Sequence, residues 1–255
     1  MNQTRRAADL LVSLGTADMR VRYGRGPWQF FKWLADPFAV TGVYLALVAL
    51  VLNRPGGAPG LSLACAVVPF QLVITTVVTS LDSIRARGTI IGNMAFPRIY
   101  LPAAAAFTES LAFVASSLLI VLMMAVYTVA PTTAVFWLPL VVLVNLALAA
   151  AISYPAALFA LWLPDLRPFA MSLMRTLFFL APGLIPLSQI YGYTHDVVKI
   201  NPLTGLFESY RAVLQAGTAP EWWMIAYPLA FAAVMAAVFV PLYRREEPHL
   251  AKVLE

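Results

Sequence analysis

Charged side chains are scarce in this chain. Asp, Glu, Lys and Arg make up 11% of its 255 residues, whereas a soluble domain carries roughly 25%. It has one cysteine, Cys65, and two isolated histidines, His195 and His249. A lone thiol excludes an intrachain disulfide, and no Cys/His grouping has the spacing of a metal site. The GxxxxGK[ST] loop that cradles nucleotide phosphates is missing too: GRGP at 24–27 has neither its spacing nor its lysine and runs into aromatics. No HExxH and no GxSxG occurs. These gaps argue against a soluble enzyme, a metalloprotein and a self-sufficient ATPase, and no cofactor is expected in this chain.

What fills the space is hydrocarbon. Hydrophobic residues make up 61% of the chain, and its mean hydropathy is +0.81. Residues 61–81 (LSLACAVVPFQLVITTVVTSL) run for 21 positions without a charge. About 20 residues at 1.5 Å rise each match the roughly 30 Å apolar core of a bilayer. Six such spans are predicted, at 34–52, 61–81, 103–129, 135–163, 169–187 and 222–243. The fourth exceeds the bilayer thickness, so it tilts, kinks near Pro139 or Pro155, or extends into water. NRPGGAPG at 53–60, DSIRARG at 82–88 and PDLRP at 164–168 mark turns between spans.

The formal net charge is +5, yet the basic residues sit between apolar runs rather than on one face, so a nucleic-acid partner is not expected. They set orientation instead. With both termini in the cytoplasm, 13 Lys and Arg residues fall inside, 3 outside (Arg54, Lys199, Arg211), and Arg175 lies within a span. That excess is the positive-inside bias. Residues 1–33 lack the apolar core of a cleavable leader.

Three longer segments lie between or before the spans. Residues 1–33 place Leu10, Leu11 and Leu14 on one helical face and continue as WQFFKW, which suits an amphipathic helix lying on the cytoplasmic surface. Residues 82–102 form the longest inside loop, with Arg85, Arg87 and Arg98 around TIIGNMAF. They suit either a short helix presented to a partner or simple topology anchors. Residues 188–221 lie outside and contain INPLTGLFESYRAVLQAG, where Asn201 caps, Pro202 takes the first helical position and Gly217 ends the helix. Leu203, Leu206, Phe207, Tyr210, Val213 and Leu214 share its apolar face, with Glu208 and Arg211 pointing elsewhere. This helix is too short to span and is therefore interfacial or re-entrant. Residues 244–255 are a cytoplasmic tail.

Glu109 and Arg175 fall inside predicted spans, where charge is costly and normally faces a cavity or partner. They either pair near the inner mouth or snorkel separately to the interface. Trp28, Trp33 and Phe38 on the inside, and Tyr127, Trp137, Tyr191, Tyr193, Trp222 and Trp223 on the outside, are placed as membrane-belt aromatics. Some of them alternatively stack on sugars.

Four stretches, in order, resemble the membrane permease subunit of type-2 ATP-binding-cassette exporters, nearest the branch that moves lipid-linked O antigen, capsule or teichoic acid. They are ADMRVRY (17–23) before an aromatic run, GNMAFPRIYLP (92–102), LPDLRPF (163–169) and INPLTGLFESYR (200–211). The resemblance implies an all-α integral membrane fold of six transmembrane helices in 34–243, with the N-terminal helix as an ATPase interface. It also implies short re-entrant helices between spans five and six. The partners it implies are a second copy of the chain, two copies of a separate ATPase that binds ATP and Mg, membrane lipid, and a lipid-linked polysaccharide. Arg20, Arg22, Tyr23, Arg85, Arg87, Phe96, Pro97, Arg98, Asp165 and Arg167 would couple to the ATPase. Asn201, Pro202, Phe207, Tyr210 and Arg211 would form an outer gate. The implied location is the cytoplasmic membrane of a bacterium. GRGPWQFFKW is an unusual interruption, and Pro164 stands where that family often has Arg. A drug or lipid exporter, and a membrane-embedded enzyme or scaffold, are the rival readings.

Overall fold

A computed structural model of the chain describes residues 35, 38–47, 58–83, 98–163, 165 and 167–247. Among them all regular structure is helical: α1 (Phe38–Leu47), α2 (Pro59–Ser83), α3 (Tyr100–Ser116), α4 (Leu118–Val126), α5 (Leu138–Trp162), α6 (Arg167–Leu180), α7 (Tyr193–Lys199), α8 (Pro202–Arg211) and α9 (Trp222–Glu246).

Four stretches of this set are long and apolar enough to cross a membrane: Pro59–Ser83, Tyr100–Val126, Thr133–Trp162 and Trp222–Glu246. They coincide with the second, third, fourth and sixth predicted spans. The other two differ. Only the ten residues of α1 are described in the first. In the fifth, α6 has 14 residues, about 21 Å of helix, and stops before Pro182 and Gly183. Proline cannot continue a helix and glycine favours leaving one, so this local break overrides an apolar run that reaches Leu187.

α2 is the axis of the bundle. It is apolar on every side, as a helix enclosed by others must be, and 72% of its most apolar window is buried. Its first two turns are built from Gly60, Ser62, Ala64, Cys65 and Ala66, small residues that let neighbouring backbones approach. At Gly60 a Cβ would lie 2.8 Å from the Tyr127 hydroxyl, which instead accepts the Gly60 N–H at 3.1 Å. Only 11% of the corresponding window of α9 is buried. Its exposed Leu229, Val234 and Val238, with Val114 and Val121 of α3–α4 and Leu143 of α5, form a lipid-compatible exterior. Hydroxyls within the spans bond back along their own helices: Thr75 to Gln71 O at 2.7 Å and Thr108 to Ala104 O at 2.9 Å.

At the end bearing Arg98, Leu101, Ala157, Leu158 and Tyr243 form a small separate core. At the opposite end, α7 and α8 fold back across the bundle. α8 starts as expected: Asn201 Oδ1 accepts the Leu203 N–H at 3.0 Å, and Pro202 follows. One π turn, Ala212–Ala216, ends at Gly217 in the left-handed region, φ +67°. All six residues of the expected apolar face are buried.

Candidate functional site

The strongest concentration of buried polar chemistry lies where α8 meets the start of α2 and the break after α6. Arg211 is only 4% exposed. Its Nη1 donates to Glu208 Oε1 at 2.6 Å and to Pro182 O at 2.6 Å. Its Nη2 donates to Gly183 O at 3.1 Å and its Nε to Ser62 O at 3.2 Å. Glu208 Oε1 also accepts the Leu187 N–H at 3.0 Å. The cause lies in the backbone: where α6 ends, carbonyls lose their intrahelical partners, and inside a membrane an unsatisfied carbonyl costs several kcal/mol. A planar guanidinium with five N–H donors can serve three carbonyls and a carboxylate together. Arg211 therefore ties three chain segments into one knot. On the helix wheel it falls on the face away from the apolar stripe. The fold buries it nonetheless, because the neighbouring break supplies its acceptors.

Beside the knot, Phe207 is fully buried against Phe178 (ring centroids 5.8 Å apart) and Tyr210 is 1% exposed. The Tyr210 hydroxyl accepts from Asn145 Nδ2 at 3.4 Å, and burial pushes its phenol above the usual range. Asn201 does more than cap α8, since its Nδ2 also donates to Leu177 O at 2.7 Å. The five residues expected as an outer gate, Asn201, Pro202, Phe207, Tyr210 and Arg211, thus belong to one assembly. Asn145 and Glu208 were missed. The available signal for Asn145 was a single amide in the middle of the apolar run LVVLVNLALA.

α8 is held to α9 at close range. A Cβ on Gly205 would lie 2.9 Å from Met224 O, and the Ser209 hydroxyl reaches that same oxygen at 3.2 Å.

The two expected intramembrane ions are apart. Glu109 is 2% exposed and accepts from the Thr79 hydroxyl at 2.6 Å. Arg175 is exposed on α6, and no ion pair joins the two.

Among the expected coupling residues, Arg20, Arg22, Tyr23, Arg85, Arg87, Phe96 and Pro97 lie outside the described residues. Arg98 is held to the end of α9: its N–H donates to Glu247 Oε1 at 2.5 Å and its Nη1 to Glu247 O at 3.0 Å. The Tyr243 hydroxyl reaches Arg98 O at 3.4 Å, and Tyr154 stacks edge-on against Tyr243 with centroids 5.8 Å apart. Arg167 pairs with Asp82 at 3.1 Å, and Asp165 is exposed.

Two cavities flank this framework. One of about 400 Å³ with a mixed polar and apolar wall adjoins the Arg211 knot and is lined by Ser62, Gln189, Glu208, Arg211 and Gln215 among others. An apolar one of about 680 Å³ lies among α2, α5, α6 and α9, with Val73, Ile152, Leu173, Leu177, Phe231 and Phe239 in its wall.

Several membrane-length apolar helices with a lipid-compatible exterior define a multi-pass membrane protein. No protein-family model matches the chain. Over 234 residues it is 27% identical to the O-antigen export system permease protein RfbA of Myxococcus xanthus, covering 91% of this chain and 88% of that protein. Two permeases of the same name from Klebsiella pneumoniae are 24% and 25% identical. The first alignment covers 96% of this chain and 95% of that protein, the second 82% of each. The chain is a permease-type transport component homologous to these proteins over most of its length.

Proposed function

We propose that the chain is the membrane-spanning subunit of an ATP-binding-cassette exporter that moves lipid-linked O-antigen-type polysaccharide across the bacterial cytoplasmic membrane. The observation that carries this reading is similarity to O-antigen export permeases across 82–96% of the chain, in a protein made largely of membrane-length apolar helices. A polar glycan cannot cross hydrocarbon, so it needs a helix-walled path. The centre of one protomer is filled by α2 and its neighbours, which favours a path between two copies related by a two-fold axis.

In this reading six spans cross the membrane with both termini cytoplasmic. A separate ATPase, two copies per dimer, binds ATP and Mg, hydrolyses the nucleotide and engages the 1–33 helix and the 82–102 loop. α7 and α8 are re-entrant and close the outer mouth, with the Arg211 knot as the latch. Movement of the 82–102 loop reaches α9 through Arg98 and Glu247. Replacing Phe96, Pro97 and Arg98 with Gly or Ser should leave ATP hydrolysis running while export falls.

The decisive experiment deletes the gene, monitors surface polysaccharide on gels, and asks whether an ATPase subunit co-purifies with the tagged permease. Loss of polysaccharide, restored by the wild-type gene, together with a co-purified ATPase, supports the assignment. Unchanged polysaccharide, or an active monomer with no ATPase, overturns it. The apolar 680 Å³ cavity favours a second reading, export of a small hydrophobic cargo, which predicts unchanged polysaccharide and raised sensitivity to a lipophilic toxin.

A further inference from the structure

We infer that the mixed polar and apolar cavity beside Arg211 is a saccharide subsite, holding one short stretch of neutral glycan at the outer end of the permease. This deepens the export reading and rests on it. The cavity measures about 400 Å³, near the lower end of the roughly 300–1,000 Å³ typical of ligand pockets. At about 30 Å³ per water it is far larger than a site for one structural water.

Its wall has the chemistry a pyranose ring needs. Ser62 contributes to the wall. Gln189 and Gln215 are half-buried in the same wall, and each amide offers two donors and an acceptor. Among the described residues the hydrogen bonds to Glu208 both fall on Oε1, which leaves Oε2 for the cavity. Pro59, Pro186 and Met224 supply apolar surface for the C–H face of a sugar.

Charge selects against the alternative small ligand, a free anion. Glu208 sits 2.6 Å from Arg211 and cancels it locally, and the remaining guanidinium donors face backbone carbonyls. A hydroxyl-rich neutral ligand meets matched partners, whereas a phosphate would meet an adjacent carboxylate.

The test compares wild type with the Gln189→Ala/Gln215→Ala double variant. Neither amide has a side-chain hydrogen bond among the described residues, so truncation leaves the fold intact, and membrane levels with ATPase co-purification check this. The permease–ATPase complex in lipid nanodiscs is titrated with methyl α-D-mannopyranoside, methyl α-D-galactopyranoside and methyl α-L-rhamnopyranoside by saturation-transfer NMR. At least one glycoside should bind the wild type, and two lost hydrogen bonds should weaken it about tenfold. Surface polysaccharide should fall in parallel. Inorganic phosphate should neither bind nor compete. No glycoside binding, equal binding by the variant, or displacement by phosphate each overturns the subsite. If the double variant does not accumulate, the two single variants are measured in the same way. If wild type restores polysaccharide but the variant is indistinguishable, the subsite alone falls. If wild type restores none, the export reading falls with it.

Discussion

Replacing Arg211 with glutamine tests the central physical argument about this fold. The substitution removes a cation that is 4% exposed and leaves Glu208, whose side chain is 12% exposed, with only the Leu187 N–H at Oε1. It also strands the carbonyls of Pro182 and Gly183, while Ser62 O, inside α2, loses one of two donors. Breaking a buried pair from one side costs about 3–5 kcal/mol, and each orphaned acceptor adds about 1 kcal/mol or more, short of additively because glutamine can reach one of them. A net loss of about 4 kcal/mol follows. At about 2–4 °C per kcal/mol for a chain of this size, the unfolding midpoint should drop by roughly 10 °C. The assay is built into the molecule: Cys65 is the sole cysteine and is fully buried, so a thiol-reactive fluorophore in detergent micelles reports unfolding. Arg211→Lys keeps the charge but loses the planar fork, and should fall about midway. Glu208→Gln with Arg211→Gln should recover part of the loss, since no isolated charge remains. A midpoint for Arg211→Gln within about 3 °C of wild type would refute the claim that this side chain holds the three segments together.

The remaining predictions rest on separate contacts. Asn201→Ala removes a cap and the bond to Leu177 O and should cost about 1–2 kcal/mol, read as a lower midpoint in the same thiol assay. Gly205→Ala forces a methyl to within 2.9 Å of Met224 O, a backbone atom that yields little. It should cost about 1–3 kcal/mol, visible as faster proteolysis of the segment joining α8 and α9. By contrast, Arg167→Gln breaks an ion pair whose side chains are 53% and 41% exposed. It should change stability by less than about 0.5 kcal/mol, while export serves as the separate readout for coupling.

Hydropathy and capping are local properties, and those parts of the molecule were legible in the amino-acid order. The four long spans follow from summed side-chain transfer energies over about 20 residues. The limits of α8 follow from Asn201, Pro202 and Gly217, whose preferences need no distant partner. The break after α6 was legible as well, in the Pro182–Gly183 pair, but a window average of hydropathy smooths over two residues. Distance in the chain hid the rest. Arg211 looks like a solvent-facing cation beside Glu208 until the fold brings Ser62 O, 149 residues away, within 3.2 Å. Likewise Glu109 and Arg175 share an expected depth but form no ion pair with each other, because depth along a span says nothing about rotation around it. The run of apolar residues alone determined that this is a multi-pass membrane protein and placed its four long spans. Tertiary structure decided which polar groups meet, because a buried charge takes its partners from whatever backbone the packing leaves unsatisfied.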